Sequence, residues 1–271
     1  MPTAKINGID INFERHGDAG EPLVLVHGYT GDITDWRHQL PEFSKTHRVL
    51  IMDHRGHGRS QAPSDRAHYT IDVMADDVEA LAAHAGFERY HLLGHSMGGA
   101  VVQEIALRSP WRLLSLTLHD TTYRFGMSDI EIVRKYYEGR MRLAEEQGMA
   151  AVAEMPALIP PPPHVTAERQ AETKARLARM SADAFIGAWQ ALHNWAGTED
   201  RAHGIAAPTM VIHGDLDAPF IDPAKWFVKT IPGAVVEVVP ETGHSPQFER
   251  PALFNAALRR HLDRNAGAAA K

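Results

Sequence analysis

The sequence predicts an α/β fold, a mostly parallel sheet flanked by helices, and three observations lead there. The first is a set of short, uninterrupted apolar runs, Pro22-Leu23-Val24-Leu25-Val26, Arg48-Val49-Leu50-Ile51-Met52 and Thr209-Met210-Val211-Ile212-His213, as expected of strands covered on both faces. The second is the helical patterning between those runs. The third is the pentapeptide Gly94-His95-Ser96-Met97-Gly98, which follows the apolar run Tyr90-His91-Leu92-Leu93 and opens a stretch of small and apolar residues, Gly99 to Leu107. A strand that becomes a helix within one residue places its middle side chain at the tip of a strained turn. A chain of 271 residues is long enough for a large core in a single α/β domain.

Taken in order, Lys5 to Asn7 and Ile9 to Phe13 read as a hairpin about Asn7-Gly8, a strong tight-turn pair. The strand Pro22 to Val26 leads into the loop His27-Gly28-Tyr29-Thr30-Gly31. After the strand Arg48 to Met52 comes Asp53-His54-Arg55-Gly56-His57-Gly58-Arg59-Ser60. Its two histidines and aspartate have a spacing that zinc could use, but the glycines and arginines point to a turn bonded through its backbone, and no metal is expected. Tyr69 to Ala85 reads as a helix, with Val73, Val78 and Leu81 apolar among its acidic residues. Leu114 to Leu118 is a further strand, and Val235 to Val239 reads as a buried one.

Between residues 123 and 200 the composition turns to Ala, Glu, Arg and Met. This stretch reads as an inserted helical cap on a core of residues 1–122 and 201–271. Its helices are expected over Ile130 to Gln147, Ala150 to Ala157, Thr166 to Met180 and Ala182 to Trp195, with Pro160-Pro161-Pro162-Pro163 as a stiff connector. Sparse flanking basic residues argue against a proline-motif docking site.

A serine at such a turn is a weak nucleophile unless a histidine base and an orienting carboxylate follow it, in the order serine, acid, histidine. His244, in the loop Pro240-Glu241-Thr242-Gly243-His244-Ser245-Pro246 after the last strand, satisfies position and order. It would take the Ser96 hydroxyl proton during attack and return it to the leaving group. Three carboxylates compete for the third role. Asp217, beyond the strand Thr209 to His213, is preferred. Asp215 better suits tying the turn through its own backbone, and Asp120, after Leu114 to Leu118, is the rival. An oxyanion hole needs two converging backbone N–H groups, and the amides of Met97, at a helix N-terminus, and Tyr29 are the candidates. Tyr29, His95, Phe125, Tyr137, Trp189 and His193 are candidates for lining a substrate pocket, weighed against the commoner role of aromatic side chains as core.

Composition excludes several classes. Lysine and arginine number 28 against 34 aspartate and glutamate, a net charge of −6, so no basic face for nucleic acid or anionic lipid is expected. The absence of cysteine removes disulfides, thiolate metal sites and a cysteine nucleophile. No dinucleotide or phosphate-binding glycine loop occurs, and no cofactor is expected. Without an apolar signal core or a run of roughly 18 apolar residues, the chain reads as cytoplasmic and free of the membrane. Its expected partners are a small-molecule substrate and, at most, a second copy of itself in a homodimer.

HGYTG at 27–31, DHRGHGRS at 53–60, GHSMGG at 94–99, HGDLD at 213–217 and GHSPQFERP at 243–251 stand in the order of the α/β-hydrolase fold superfamily, which the chain resembles over nearly its whole length. The resemblance implies a mainly parallel eight-stranded sheet, a cap after the sixth strand and a Ser96-Asp217-His244 triad. It leaves the reaction open among esterases, lactonases, carbon–carbon hydrolases, haloperoxidase-type enzymes and small-molecule receptors. Epoxide hydrolases and dehalogenases of this fold carry aspartate where Ser96 stands, which disfavours displacement at saturated carbon. Carbon–carbon hydrolases usually have tryptophan just after the histidine, where this chain has Ser245-Pro246-Gln247-Phe248. Cleavage of small carboxylic esters is the expected activity.

Overall fold

The computed structural model describes residues 3–125, 131–158, 160–162 and 165–267. These form an eight-stranded sheet in the order β1-β2-β4-β3-β5-β6-β7-β8. The strands are β1 (Thr3–Ile6), β2 (Ile9–His16), β3 (Pro22–Val26), β4 (Arg48–Met52), β5 (Tyr90–His95), β6 (Leu113–His119), β7 (Thr209–Gly214) and β8 (Val235–Val239). The β1–β2 and β2–β4 pairs are antiparallel, and all pairs from β4 to β8 are parallel. Asn7 and Gly8 both take positive φ, 46° and 84°, the conformation a two-residue hairpin turn demands.

The apolar runs become the central strands because both faces are covered. One core joins Val24, Val26, Leu50, Leu92, Leu116 and Leu118 to α2 (Ile71–His84) and α3 (Met97–Arg108). On the other face Leu23, Leu25, Val49, Ile51, Leu93 and Ile212 meet Trp36, Phe43 and α10 (Pro251–Arg264). The α2 helix starts where Thr70 Oγ1 accepts from the Val73 amide at 3.1 Å, and its buried side is Ile71, Met74, Val78 and Leu81, a helical stripe. The expected burial of β8 is corrected. Val235, Val236 and Val238 are 40%, 44% and 50% exposed, because β8 pairs with β7 alone and is an edge strand, a position that apolar composition does not reveal.

Between β6 and β7 the chain passes through α4 (Glu131–Gln147), α5 (Met149–Glu154), α6 (Ala167–Ala178) and α7 (Ala182–Asn194). Ile130 and Pro163, which the sequence reading assigned to a helix start and the proline connector, lie outside the described residues. The insert has its own apolar cluster, Ala144, Met149, Val152, Leu177, Phe185 and Ile186, with Tyr29 packed against it. Ala184, Ala188, Ala191 and Leu192 of α7 instead join the main core, so α7 is sandwiched between the two. Charges fasten α6 to the core. Arg176 pairs with Asp35 at 2.5 Å and Asp32 at 3.5 Å, Arg37 with Glu172 at 2.9 Å, and Arg169 lies 3.6 Å from the centroid of Phe248.

The loop after β4 is organised from below. Asp53 accepts from Asn12 Nδ2 and the amides of Ile33 and Arg59 at 2.7, 2.8 and 2.8 Å. Arg55 forms a bidentate pair with Asp77 at 2.7 and 2.9 Å, both side chains being almost fully buried. Removing one partner leaves the other charge stranded. Asp77→Ala is expected to lower unfolding stability by about 3–5 kcal/mol, measured by urea denaturation, and a loss below 1 kcal/mol would mean that Arg55 reaches water in the variant.

Candidate active site

The turn at Ser96 exists because two backbones cross at glycine. A Cβ on Gly98 would lie 2.5 Å from the Val26 carbonyl oxygen and 2.6 Å from that of His27, and one on Gly94 would lie 2.2 Å from the Gly98 oxygen. No side chain fits in those spaces. Ser96 itself sits at φ 53°, ψ −114°, a strained conformation for a residue with a Cβ. It is held by its amide on the His119 carbonyl at 2.9 Å and by Thr121 Oγ1 donating to its carbonyl at 2.8 Å. Among the described residues the Ser96 hydroxyl has no hydrogen-bond partner, so the oxygen at the tip is free for a substrate.

Parallel register brings the other residues to the same end of the sheet. Gly94 faces Leu118, His119 faces Ile212, and Gly214 faces Val239. The loops after β7 and β8 are then laced together, with the Leu216 amide on the Thr242 carbonyl at 2.9 Å and the Asp215 amide on Val239 at 3.2 Å. Asp215 was expected to bond its own turn. Its carboxylate instead accepts from the Thr242 amide at 3.2 Å, because the two loops approach too closely to be independent. The result is a 2.6 Å hydrogen bond from His244 Nδ1 to Asp217 Oδ2.

The His244 loop has further supports that sequence reading missed. The Gly243 and Ser245 amides donate to Glu249 at 2.8 and 3.1 Å, and His95 Nε2 donates to the His244 carbonyl at 2.8 Å. Phe220, on the first turn of α8 (Ala218–Thr230), stacks on the His244 ring at 4.8 Å and 26°. Only Glu249 had a signal, since a glutamate four residues past Ser245, at the start of a short helix, can reach back to preceding loop amides. Phe220 had none, being three residues past Asp217 in an ordinary helix.

Charge within the group is uneven. Burial pulls the His244 pKa down, but the charge and hydrogen bond of Asp217 lift it to about 9. Its side chain keeps 41% of its surface accessible, so water screens part of that pull and the upward direction is what bears on reactivity. Burial opposes ionisation of Asp217, and the positive potential and hydrogen bond of His244 overcome it, holding the carboxyl below its usual range. Burial, with the His119 and His244 rings nearby, keeps His95 well below the ordinary histidine value and therefore neutral.

Two loop and helix-start amides lie near the serine in the chain or in space. Gly28 backs onto it so closely that a Cβ there would lie 3.0 Å from Ser96 Cβ. His27 Nδ1 donates to the Gly28 carbonyl at 2.8 Å, while its Nε2 accepts from the His54 amide at 3.0 Å. This buried ring fixes the loop, as does the Gly31 amide on the Gly28 carbonyl at 3.0 Å. Among the described residues neither the Tyr29 amide nor that of Met97, first residue of α3, has an acceptor. Donors left open beside a hydroxyl can bind an oxyanion.

Of the pocket candidates, Tyr29, Trp189 and Tyr137 form a continuous aromatic wall, with ring separations of 6.0 and 3.8 Å. Tyr29 follows Gly28 in the loop beside Ser96, and Tyr29 Oη ties the wall to the insert by donating to the Phe185 carbonyl at 2.9 Å. Phe125 is packed in the core, its ring 6.2 Å from that of Trp195 and 6.4 Å from that of Phe220. His95 is buried behind His244 rather than facing a cavity. His193 is a correction. It is exposed on the last turn of α7, one residue past buried Leu192 and so rotated by about 100° from the covered stripe.

Residues 21–251 match the α/β hydrolase fold family. The chain is 33% identical over 263 residues to the dihydrolipoyllysine-residue acetyltransferase component of an acetoin cleaving system from Pseudomonas putida, covering 92% of this chain and 66% of that protein. It thus spans just under two thirds of that relative's length. Among solved structures it is similar to the enol-lactonase of Burkholderia xenovorans LB400, at a TM-score of 0.85 and 26% identity, covering 97% of this chain and 100% of that one. A thermophilic esterase of Thermogutta terrifontis has a TM-score of 0.84 and 29% identity, with 98% and 100% covered. With its sheet, its serine turn and its sequence in agreement over most of its length, the chain belongs to the α/β hydrolase fold family.

Proposed function

We propose that the protein is a serine hydrolase of small carboxylic esters, working through an acyl-enzyme. Ser96 attacks the carbonyl carbon, and His244 Nε2 takes the hydroxyl proton. Asp217 holds the imidazole through Nδ1–H and stabilises its cation, and the Tyr29 and Met97 amides bind the developing oxyanion. The alcohol leaves with the proton from His244, and a water activated by the same ring releases the acid. The observation that carries this reading is the His244 Nδ1 to Asp217 Oδ2 hydrogen bond of 2.6 Å, which fixes the tautomer and leaves Nε2 unprotonated for the base role.

The likeness to an esterase and an enol-lactonase supports acyl transfer, a lactone being a cyclic ester cleaved by the same steps. The helical insert acts as a cap over Ser96. Its aromatic wall at Tyr29, Trp189 and Tyr137 favours short-chain or aromatic acyl groups over long aliphatic chains. A receptor of the same architecture would bind such molecules without steady turnover.

Ser96→Ala is expected to lower kcat on a p-nitrophenyl ester by about 10⁴–10⁶-fold, and near wild-type turnover by the folded variant would dismiss the reading. A fluorophosphonate should label Ser96 alone, as read by mass spectrometry of the digest.

The pH profile has a determined sign. His244 works as a base only when deprotonated, and its raised pKa means that the neutral ring is lost at a higher pH than usual as the solution is acidified. The acid limb of kcat/KM is therefore expected above 6.5, the ordinary histidine value, and toward 9. An acid limb centred below 6 would show that Asp217 does not govern the ring.

Across p-nitrophenyl esters of increasing acyl length, kcat/KM is expected to peak at short chains, with no rise at the micellar concentration. A peak at long chains would remove the small-pocket assignment, and faster cleavage of a ring-cleavage diketone would transfer the protein to carbon–carbon hydrolysis.

A further inference from the structure

Behind the His244 and Asp217 pair lies a second carboxyl group that the proposed reaction does not use. Asp120 follows β6, is 1% exposed and sits at φ 40°. Its Oδ1 accepts from the Gly214 amide at 3.1 Å, so the backbone of β7 holds one of its oxygens. A carboxylate oxygen of Asp120, one of Asp217 and a ring nitrogen of His244 all lie within 4.8 Å of one another, and both carboxyl groups are buried. Two buried carboxyl groups this close repel strongly as anions, whereas a proton on one of them lets them face each other.

On its other side Asp120 meets a second acceptor, and its one proton goes to the Asp217 carboxylate, the stronger acceptor because it is charged. Its Oδ2 lies 3.0 Å from His119 Nδ1, both side chains being fully buried, yet neither atom has a hydrogen-bond partner. His119 Nε2 is 2.7 Å from Gln247 Oε1. With the amide oxygen accepting, that nitrogen carries the proton and Nδ1 is a bare lone pair. Burial lowers the His119 pKa to about 4, which keeps the ring neutral. An ionised Asp120 would thus face a lone pair from His119 and a negative charge from Asp217, with positive charge from His244 only while that ring is protonated.

We propose that Asp120 is a positioning residue, a carboxylic acid that donates a hydrogen bond to the Asp217 carboxylate and so holds it on His244 Nδ1. The inference rests on the triad reading above. Asp120 keeps its proton throughout the cycle. The Asp217 carboxylate then has His244 on one oxygen and a neutral donor at its side, and cannot rotate away when the imidazolium forms. Burial pushes the Asp120 acid well above the usual carboxyl range, with the neighbouring Asp217 charge adding to it, in agreement with the geometry. The titratable groups facing Asp120 are His119 just before it, Asp217 after β7 and His244 after β8, with the His95 ring of β5 tilted against His119 at 4.5 Å.

The test compares Asp120→Gly with Asp120→Asn. Glycine suits φ 40° and removes the donor, whereas asparagine also tolerates positive φ and restores a neutral N–H donor without a charge. Asp120→Gly is expected to lower kcat by about 10- to 100-fold, as for loss of a hydrogen bond to a charged group, with KM little changed. Asp120→Asn should recover that loss and keep the acid limb of kcat/KM in place. Were Asp120 an anion, Asp120→Asn would delete a negative charge beside His244, and the limb would move down by about one unit. That shift, or wild-type kcat in Asp120→Gly, would overturn the proposal.

Infrared difference spectra of wild type against Asp120→Asn provide a readout independent of turnover. A protonated carboxyl C=O band, sensitive to deuterium, should be present in wild type and lost in the variant, and its absence from wild type would also overturn the proposal. Because this band does not depend on catalysis, failure of the ester assignment in Ser96→Ala and failure of the Asp120 assignment are separate results.

Discussion

The structure depends on the passage of the chain from β5 into α3 within a single residue. To make that turn, the first turn of α3 must lie against the ends of β3 and β5, and Gly94 and Gly98 keep the space between them free of side chains. The strain stored at Ser96 is held by the surrounding hydrogen bonds, chiefly its amide on His119 and Thr121 on its carbonyl. The same compression leaves the Met97 amide without an acceptor at the positive end of a helix and brings the Gly28 loop alongside. The position of the Ser96 side chain and the open Met97 amide are therefore two outcomes of one steric constraint, and neither can be altered without the other.

Around that turn, the parallel register carries the loops after β6, β7 and β8 to one end of the sheet. Backbone hydrogen bonds between the last two loops bring Asp217 and His244 together before their side chains meet. The electrostatics follow from how much water each group retains. His244 stays partly open, and Asp217 raises its affinity for a proton. Asp120, closed from solvent beside another acid, has little means of supporting a charge. Such a gradient from open to closed separates the roles of chemically identical carboxyl groups.

The insert is joined to the core by apolar packing along α7 and by arginines along α6. Arg176 reaches Asp32 and Asp35, immediately after the loop that carries Tyr29. A shift of α6 would therefore be felt at the Gly28–Gly31 loop as well as at the aromatic wall. Since these pairs are only partly exposed, salt screens them less than it does ordinary surface pairs.

Strand periodicity, the glycine spacing about Ser96 and the order of serine, acid and histidine were legible in the chain because each depends on local chemistry: continuous apolar runs, absence of Cβ and a loop after a strand. The hairpin at Asn7-Gly8 and the four helices of the insert were legible for the same reason. The exposure of β8 was not, since whether a strand has one neighbour or two is a property of the sheet. Nor was the position of His193, which turned on a rotation of a single residue about α7. The sequence alone determined which residue types could perform acyl transfer and in what order they occur. Only the tertiary structure decided that Asp217 rather than Asp120 meets His244, that Asp120 lies behind it, and that Phe220 and Glu249 support the ring, because these contacts join loops that are far apart in the chain and meet only through the register of the sheet.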